Sequence, residues 1–251
     1  MNKDTNRIKK YIRRIVMLIC MVVFVYSAYS LIKIHLKYRA IDNLNLEIVN
    51  NYVVKKEGRF YVDWENLLKR NSDVVGWLYF PNTNIDFPIL HGSDNNFYLH
   101  HDINRNASIA GSIFMDKRND SMFTDINTII YGHNMRNDSM FSDINRIAHG
   151  RIEDYSSYIY VYLPNNTLKT YKIVSINKTD TSNPIFIRTI NNIEELSEMM
   201  LEGQIRSNPW PDNHMGRLLM LSTCGDGGLF EYTQNRSIIF AILISEENLI
   251  D

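Results

Sequence analysis

Eighteen consecutive residues, Ile15 to Ile32, carry no charge, and they constrain the chain more than any other feature. As an α-helix such a run rises about 27 Å, close to the thickness of a bilayer's hydrocarbon core. Lys3, Arg7, Lys9, Lys10, Arg13 and Arg14 precede it. A basic flank of this kind favours staying on the cytoplasmic side, so the chain beyond Ile32 is expected outside the membrane. A cleavable signal peptide is an alternative, because Ala28-Tyr29-Ser30 offers small residues at cleavage spacing. A buried core helix is the plainer one. The length of the run favours an uncleaved anchor over a signal h-region. The expected organisation is a basic cytoplasmic tail over 1–14, a transmembrane signal anchor over 15–32, a helical stalk or lead-in over 33–72, and one folded domain over 73–251.

The net charge of -1 conceals a division. Residues 1–39 hold nine Lys and Arg against Asp4 alone, which leaves 18 basic and 27 acidic residues for the remainder. An acidic outer domain lacks the basic face that phosphate contacts require, so nucleic acid is not an expected partner. Hydrophobic residues make up 45% of the chain, enough to build a core.

Residues 33–58 are polar with scattered apolar positions and read as helix, and Asp63 reads as the N-cap of a short helix through Leu67 and Leu68. After Asn71 the texture changes to short segments rich in β-branched and aromatic residues. They lie at 74–80, 85–90, 112–116, 127–132, 157–163, 168–177, 217–223 and 237–244, bounded by Asn, Gly and Asp. Pro88 marks the second as an edge or a bend. Many short strands favour a barrel or sandwich over an α/β layer fold. One helix interrupts them: Asn191 can cap it, Ile193, Leu196, Met200 and Leu201 share a face, and it ends before Asn208-Pro209-Trp210-Pro211. It is either a surface helix packed on the sheet or one wall of a substrate groove. A nine-residue stretch from Asn119 to Asn127 nearly repeats from Asn137 to Asn145, too few copies for a solenoid.

Only two cysteines are present. Cys20 lies in the apolar run, which leaves Cys224 without a disulfide partner in a domain expected to face an oxidising exterior. Leu218-Leu219-Met220-Leu221-Ser222-Thr223-Cys224 reads as a buried strand ending at the thiol. A thiol nucleophile needs a partner that favours the thiolate, usually histidine. Of seven histidines, His133 follows the strand-like Thr128-Ile129-Ile130-Tyr131-Gly132 and repeats the strand-end setting of Cys224. Arg236 is the only Arg or Lys after Cys224 and opens the last strand, so a hairpin-like return would bring its guanidinium beside the thiol. His100-His101-Asp102 does not make a metal site, since adjacent side chains on extended backbone point apart. Neither a zinc nor a calcium ligand spacing is present.

Tyr131-Gly132-His133-Asn134, Leu221-Ser222-Thr223-Cys224 and the following Arg236 resemble the sortase signature, in that family's chain order. Val75-Gly76-Trp77, Asp86-Phe87-Pro88-Ile89, Asn95 through Leu99, Ala110 through Asp116 and Met140 through Asp143 are similar to class B sortases of Gram-positive bacteria. The similarity runs from about Val74 to Leu243. It implies a mainly β, sortase-like closed barrel with N-terminal helices and a helix inserted before the cysteine strand. It also implies a cysteine transpeptidase with Cys224 as nucleophile, His133 as proton carrier and Arg236 as oxyanion stabiliser, and with Asn95, Leu99, Tyr131, Ser222 and Thr223 lining the substrate groove. The implied partners are secreted proteins with a C-terminal sorting motif and a peptidoglycan precursor amine, at the outer face of the plasma membrane, with no metal or organic cofactor. A pilus-polymerising sortase, a hydrolytic cysteine peptidase and a non-catalytic tethered domain are the competing expectations. The Cys224–Arg236 loop, with Gly225, Gly227 and Gly228, is slightly long and glycine-rich for class B, and Asp226 within it is given no role.

Overall fold

The computed structural model describes residues 2–56, 59–186, 190, 192–224 and 235–249. The chain divides into two units, 1–44 and 45–251. The first is helical. Helix α1 (Asn2–Tyr52) begins there, and its N-terminal half is long and apolar enough to cross a membrane, with a mean hydropathy of 2.5 and none of that span buried.

In the second unit α1 ends at Tyr52, and a hairpin of β1 (Val53–Lys56) and β2 (Arg59–Val62) follows where the sequence suggested helix to residue 58. The Phe60 ring explains the change. It stacks on Tyr162 at 4.4 Å and on Tyr79 at 5.4 Å, which anchors β2 on the sheet. Helix α2 (Trp64–Arg70) starts as expected, with the Asp63 carboxylate accepting from the Asn66 N–H.

The remaining elements are β3 (Val74–Phe80), β4 (Ile85–Leu90), α3 (Phe97–His100), β5 (Phe114–Met115), β6 (Asn127–Gly132), α4 (Ser142–Ala148), β7 (Tyr158–Tyr162) and β8 (Thr167–Asp180). A 3-10 turn at Pro184–Phe186, α5 (Ile193–Leu201), β9 (Gln204–Ser207), β10 (Leu218–Cys224) and β11 (Asn235–Asn248) complete the chain. The strands lie in the order β11-β10-β6-β5-β4-β3-β7-β8-β9, and β11 pairs again with β8. That pairing closes an eight-strand barrel and leaves β9 appended to β8. The expected mainly β closed barrel, with a helix ahead of the cysteine strand, is the fold observed.

Several local expectations need adjustment. The strand expected at 112–116 is reduced to Phe114 and Met115, and β4 touches β5 only at Leu90 and Phe114. Pro88 therefore costs β4 no ladder bond on that side. The inserted helix is capped by Asn192, whose side chain accepts from the Glu195 N–H. Asn191, expected to cap it, lies outside the described residues. The two near-identical nonapeptides take different structures. Asp125-Ile126-Asn127 runs into β6, whereas Ser142-Asp143-Ile144-Asn145 forms the start of α4. Ser142 makes the difference, because its hydroxyl donates to the Met135 carbonyl and accepts from the Met135 N–H.

The sheet has two apolar faces. Ile129 of β6, Leu218 and Met220 of β10, and Ile238, Phe240 and Ile242 of β11 form one cluster with Ile185, Leu196 and Met200. The 3-10 turn and α5 thus cover this face from outside. Alternate residues, including Ile130, Leu219, Leu221, Ile239 and Ala241, are buried toward the barrel interior.

Candidate active site

Strand β10 is held on both sides. It pairs parallel with β6, with Ser222 beside Tyr131 and Thr223 beside Gly132. It pairs antiparallel with β11, with Cys224 opposite Arg236. His133 is the next residue after Gly132, so the backbones of His133, Cys224 and Arg236 meet at one end of three adjacent strands. On β10 the Met220 side chain lies on the outer face that α5 covers, and strand alternation gives Ser222 the same face. For Cys224 the description reaches the backbone. The loop 225–234, with Gly225, Asp226, Gly227 and Gly228, lies outside the described residues.

His133 is half-buried, and its Nε2 lies 2.8 Å from the Leu99 carbonyl oxygen. A carbonyl only accepts, so Nε2 carries the proton and Nδ1 is the nitrogen that exchanges it. Burial lowers the proton affinity of this imidazole. The Leu99 bond opposes that and the charge of Arg236 adds to it, so the net shift is below the ordinary histidine value. The Arg236 guanidinium donates to the Asn235 carbonyl at 2.9 Å and acts electrostatically on both His133 and Tyr131. Imidazole and guanidinium therefore share one field at this rim.

Behind them lies a polar cluster. The Tyr131 hydroxyl donates to Asp116 Oδ2 at 2.9 Å, and the Asn95 amide donates to the same oxygen at 3.0 Å. Burial and Asp116 together push the Tyr131 phenol well above its usual range. Arg118 grips Asp116 through Nε to Oδ1 at 2.8 Å and Nη2 to Oδ2 at 2.9 Å. Asp116 is 1% exposed. Burial alone would raise its proton affinity, but the bonds from Arg118 and Tyr131 outweigh it and hold the carboxyl below the usual value. Neither Asp116 nor Arg118 was singled out as a site residue from sequence. The available signal was an acid placed just past a short buried strand.

The groove residues expected from sequence fall into this neighbourhood in different ways. Asn95 and Tyr131 meet on Asp116, Leu99 meets His133, and Ser222 stands beside Tyr131. Thr223 belongs to the opposite face, with Gly132 and Ser237 as its strand neighbours. A Cβ on Gly132 would sit 2.5 Å from Ile113 and 2.7 Å from the Phe141 ring, which marks that face as packed interior. Ser222 and Thr223 are both buried, and among the described residues neither hydroxyl has a hydrogen-bond partner.

No group of three or more His, Cys, Asp or Glu side chains able to hold a metal ion occurs among the described residues. His101 has a structural role: its ring stacks on Phe97 at 4.1 Å and its Nδ1 meets the Phe97 carbonyl. A thiol-bearing strand end beside an imidazole with a defined exchanging nitrogen and a permanent cation has the parts for acyl transfer through a thioester.

The family model of the Sortase domain matches residues 78–244. Sortase B of Staphylococcus aureus is 26% identical over 252 residues, covering 95% of this chain and 98% of that protein. Sortase B of Listeria monocytogenes is 56% identical over 70 residues, a match that spans 28% of each chain. Among solved structures, Clostridium perfringens sortase B superposes with a TM-score of 0.60 at 32% identity, covering 72% of this chain and 99% of that one.

Proposed function

The chain belongs to the sortase family, whose members are cysteine transpeptidases, and from that premise we propose that it is a membrane-anchored class B enzyme that joins secreted proteins to a cell-wall amine. In this reading the Cys224 thiol gives its proton to His133 Nδ1 as the sulfur attacks the threonine carbonyl of a C-terminal sorting motif. The resulting oxyanion is stabilised by the Arg236 guanidinium. Collapse of that intermediate breaks the peptide C–N bond, and the His133 imidazolium protonates the leaving amine. An amine of a peptidoglycan precursor then attacks the thioester, neutral His133 removes its proton, and the Cys224 thiolate departs.

The observation that carries this reading is the register of β10, with Cys224 opposite Arg236 on one side and Thr223 beside Gly132, the residue before His133, on the other. Asn95, Leu99, Tyr131 and Ser222 supply the groove on the same face. Thr223 contributes from behind, by packing the strand that bears the nucleophile. The apolar half of α1 serves as the anchor, with the basic tail 1–14 inside and residues 73–251 outside as the catalytic domain, which keeps the site where exported substrates emerge.

The test uses the full-length chain in detergent, a peptide pool randomised around a fixed threonine, and a set of candidate amines including diaminopimelate- and glycine-terminated peptides. Mass spectrometry should find a thioester on Cys224 and an amide product that depends on added amine. Cys224→Ala should give neither. Hydrolysis products alone, at every amine concentration, would convert the assignment to a peptidase. Full activity in Cys224→Ala would remove the nucleophile.

A further inference from the structure

Arg118 has a second attachment besides Asp116. Its Nη2 also donates to the Phe186 carbonyl at 2.8 Å. Phe186 ends the 3-10 turn that leads toward α5, and the Phe186 side chain packs against the apolar cluster of the outer face. One guanidinium thus ties the segment lying over the site face to a buried carboxylate, and that carboxylate holds Tyr131 and Asn95. The arrangement is built rather than incidental. Asp116 is 1% exposed and Arg118 about one-third exposed, and the pair is bidentate, the geometry in which an Arg–carboxylate contact is most directional.

We propose that Asp116 and Arg118 are positioning residues that fix the spacing between the groove floor, at Tyr131 and Asn95, and the wall that begins at Phe186. The contacts of the pair run to Tyr131, Asn95 and the Phe186 carbonyl. Its effect therefore falls on peptide binding and leaves bond making unchanged. Loss of Arg118 frees the Phe186 carbonyl, lets the wall move away from the floor, and weakens peptide binding while the Cys224–His133–Arg236 frame on β6, β10 and β11 stays in place. The proposal rests on reading this face as a peptide groove.

The test compares wild type, Arg118→Ala and Arg118→Lys as full-length chains in detergent, with three readouts. The first is steady-state transpeptidation of whichever peptide from the threonine-centred pool the wild type processes fastest. The second is alkylation of Cys224 by iodoacetamide, read on the Cys224-containing peptide so that Cys20 does not interfere. The third is hydrogen–deuterium exchange of the backbone amides of residues 193–201. Arg118→Ala should raise KM at least fivefold with kcat within twofold, leave alkylation within twofold, and speed exchange across 193–201. Arg118→Lys keeps the charge but replaces a planar fork, whose bonds leave from two separate nitrogens, by a single nitrogen, so it should rescue less than half of the KM defect. An unchanged KM overturns the proposal, whether or not exchange speeds up. A kcat loss without a KM change also overturns it, as does full rescue by lysine. If the wild type processes no peptide in the pool, the functional reading fails separately, and the exchange comparison still decides whether the tether exists.

Discussion

His133 Nε2 lies 2.8 Å from the Leu99 carbonyl oxygen, so the orientation of the imidazole is set by backbone rather than by another ionisable group. Burial is the largest influence on its proton affinity and lowers it, and Arg236 lowers it further. In a Cys224→Ala background, which removes the thiolate as a competing charge, the His133 ring protons should titrate below the ordinary value of about 6.5 by NMR. The sign for stability follows. The unfolded imidazole takes its proton first on acidification, so stability present above about pH 6.5 is lost as the pH falls toward the folded value. Adding His133→Gln should flatten that part of the stability–pH curve. Titration of His133 above 6.5 in this background would contradict the assignment.

Gly111 has a positive φ of 55°, and a Cβ there would lie 2.5 Å from the Leu99 carbonyl oxygen. Alanine must displace that carbonyl or the turn, besides taking up a left-handed conformation that costs roughly 1–2 kcal/mol. Gly111→Ala should therefore lower kcat/KM by about tenfold or more, for about 1.4 kcal/mol of lost transition-state stabilisation. It should also push the His133 titration lower still, because the acceptor that favours the protonated ring has moved. Wild-type kinetics in this variant would separate the Leu99 carbonyl from catalysis.

Asp116→Ala leaves the Tyr131 hydroxyl, the Asn95 amide and the Arg118 guanidinium without their shared acceptor. Arg118 is about one-third exposed, so the cost is that of the unsatisfied donors, about 1–3 kcal/mol, and urea unfolding followed by tryptophan fluorescence should show a loss of that order. The Asp116 carboxyl titrates below its unfolded value, so its contribution is present above about pH 3.9 and disappears as the pH falls through the folded value. The variant should accordingly show a shallower acid transition than the parent.

Arg236→Lys keeps a cation opposite Cys224 but loses the planar fork. The expected result is a fall in kcat of about a hundredfold, the scale of one lost oxyanion donor, with KM changed less than threefold. Alkylation of Cys224 by iodoacetamide should change little, since that reaction forms no oxyanion. Unchanged turnover would take Arg236 out of the chemistry.

Much of this was legible in the chain. The β10 segment announced itself through an apolar run ending at a lone thiol, and β6 through a similar run ending at Gly132 and His133. Strand ends are local features, so sequence exposes them. The Asp116–Arg118 clamp is not local in its consequences. Its partners Asn95, Tyr131 and Phe186 lie 21, 15 and 68 residues away from the clamp residue each one bonds, and no spacing rule connects them. The nonapeptide pair shows the same limit more plainly. Nearly identical residues become a strand entry in one place and a helix start in the other, because Ser142 finds the Met135 backbone while Asp125 is held by Asn119. Thr223 illustrates a third case: the family resemblance implies a place in the groove, yet period-two alternation sends it to the packed side.

The barrel's ring of hydrogen bonds is uneven in strength. Between β8 and β11 it runs through thirteen matched positions, but between β4 and β5 it hangs on Leu90 and Phe114 alone. Thermal breathing will concentrate at that thin seam. The flank carrying Asn95 can then give way, while the staves that carry Cys224, His133 and Arg236 remain still.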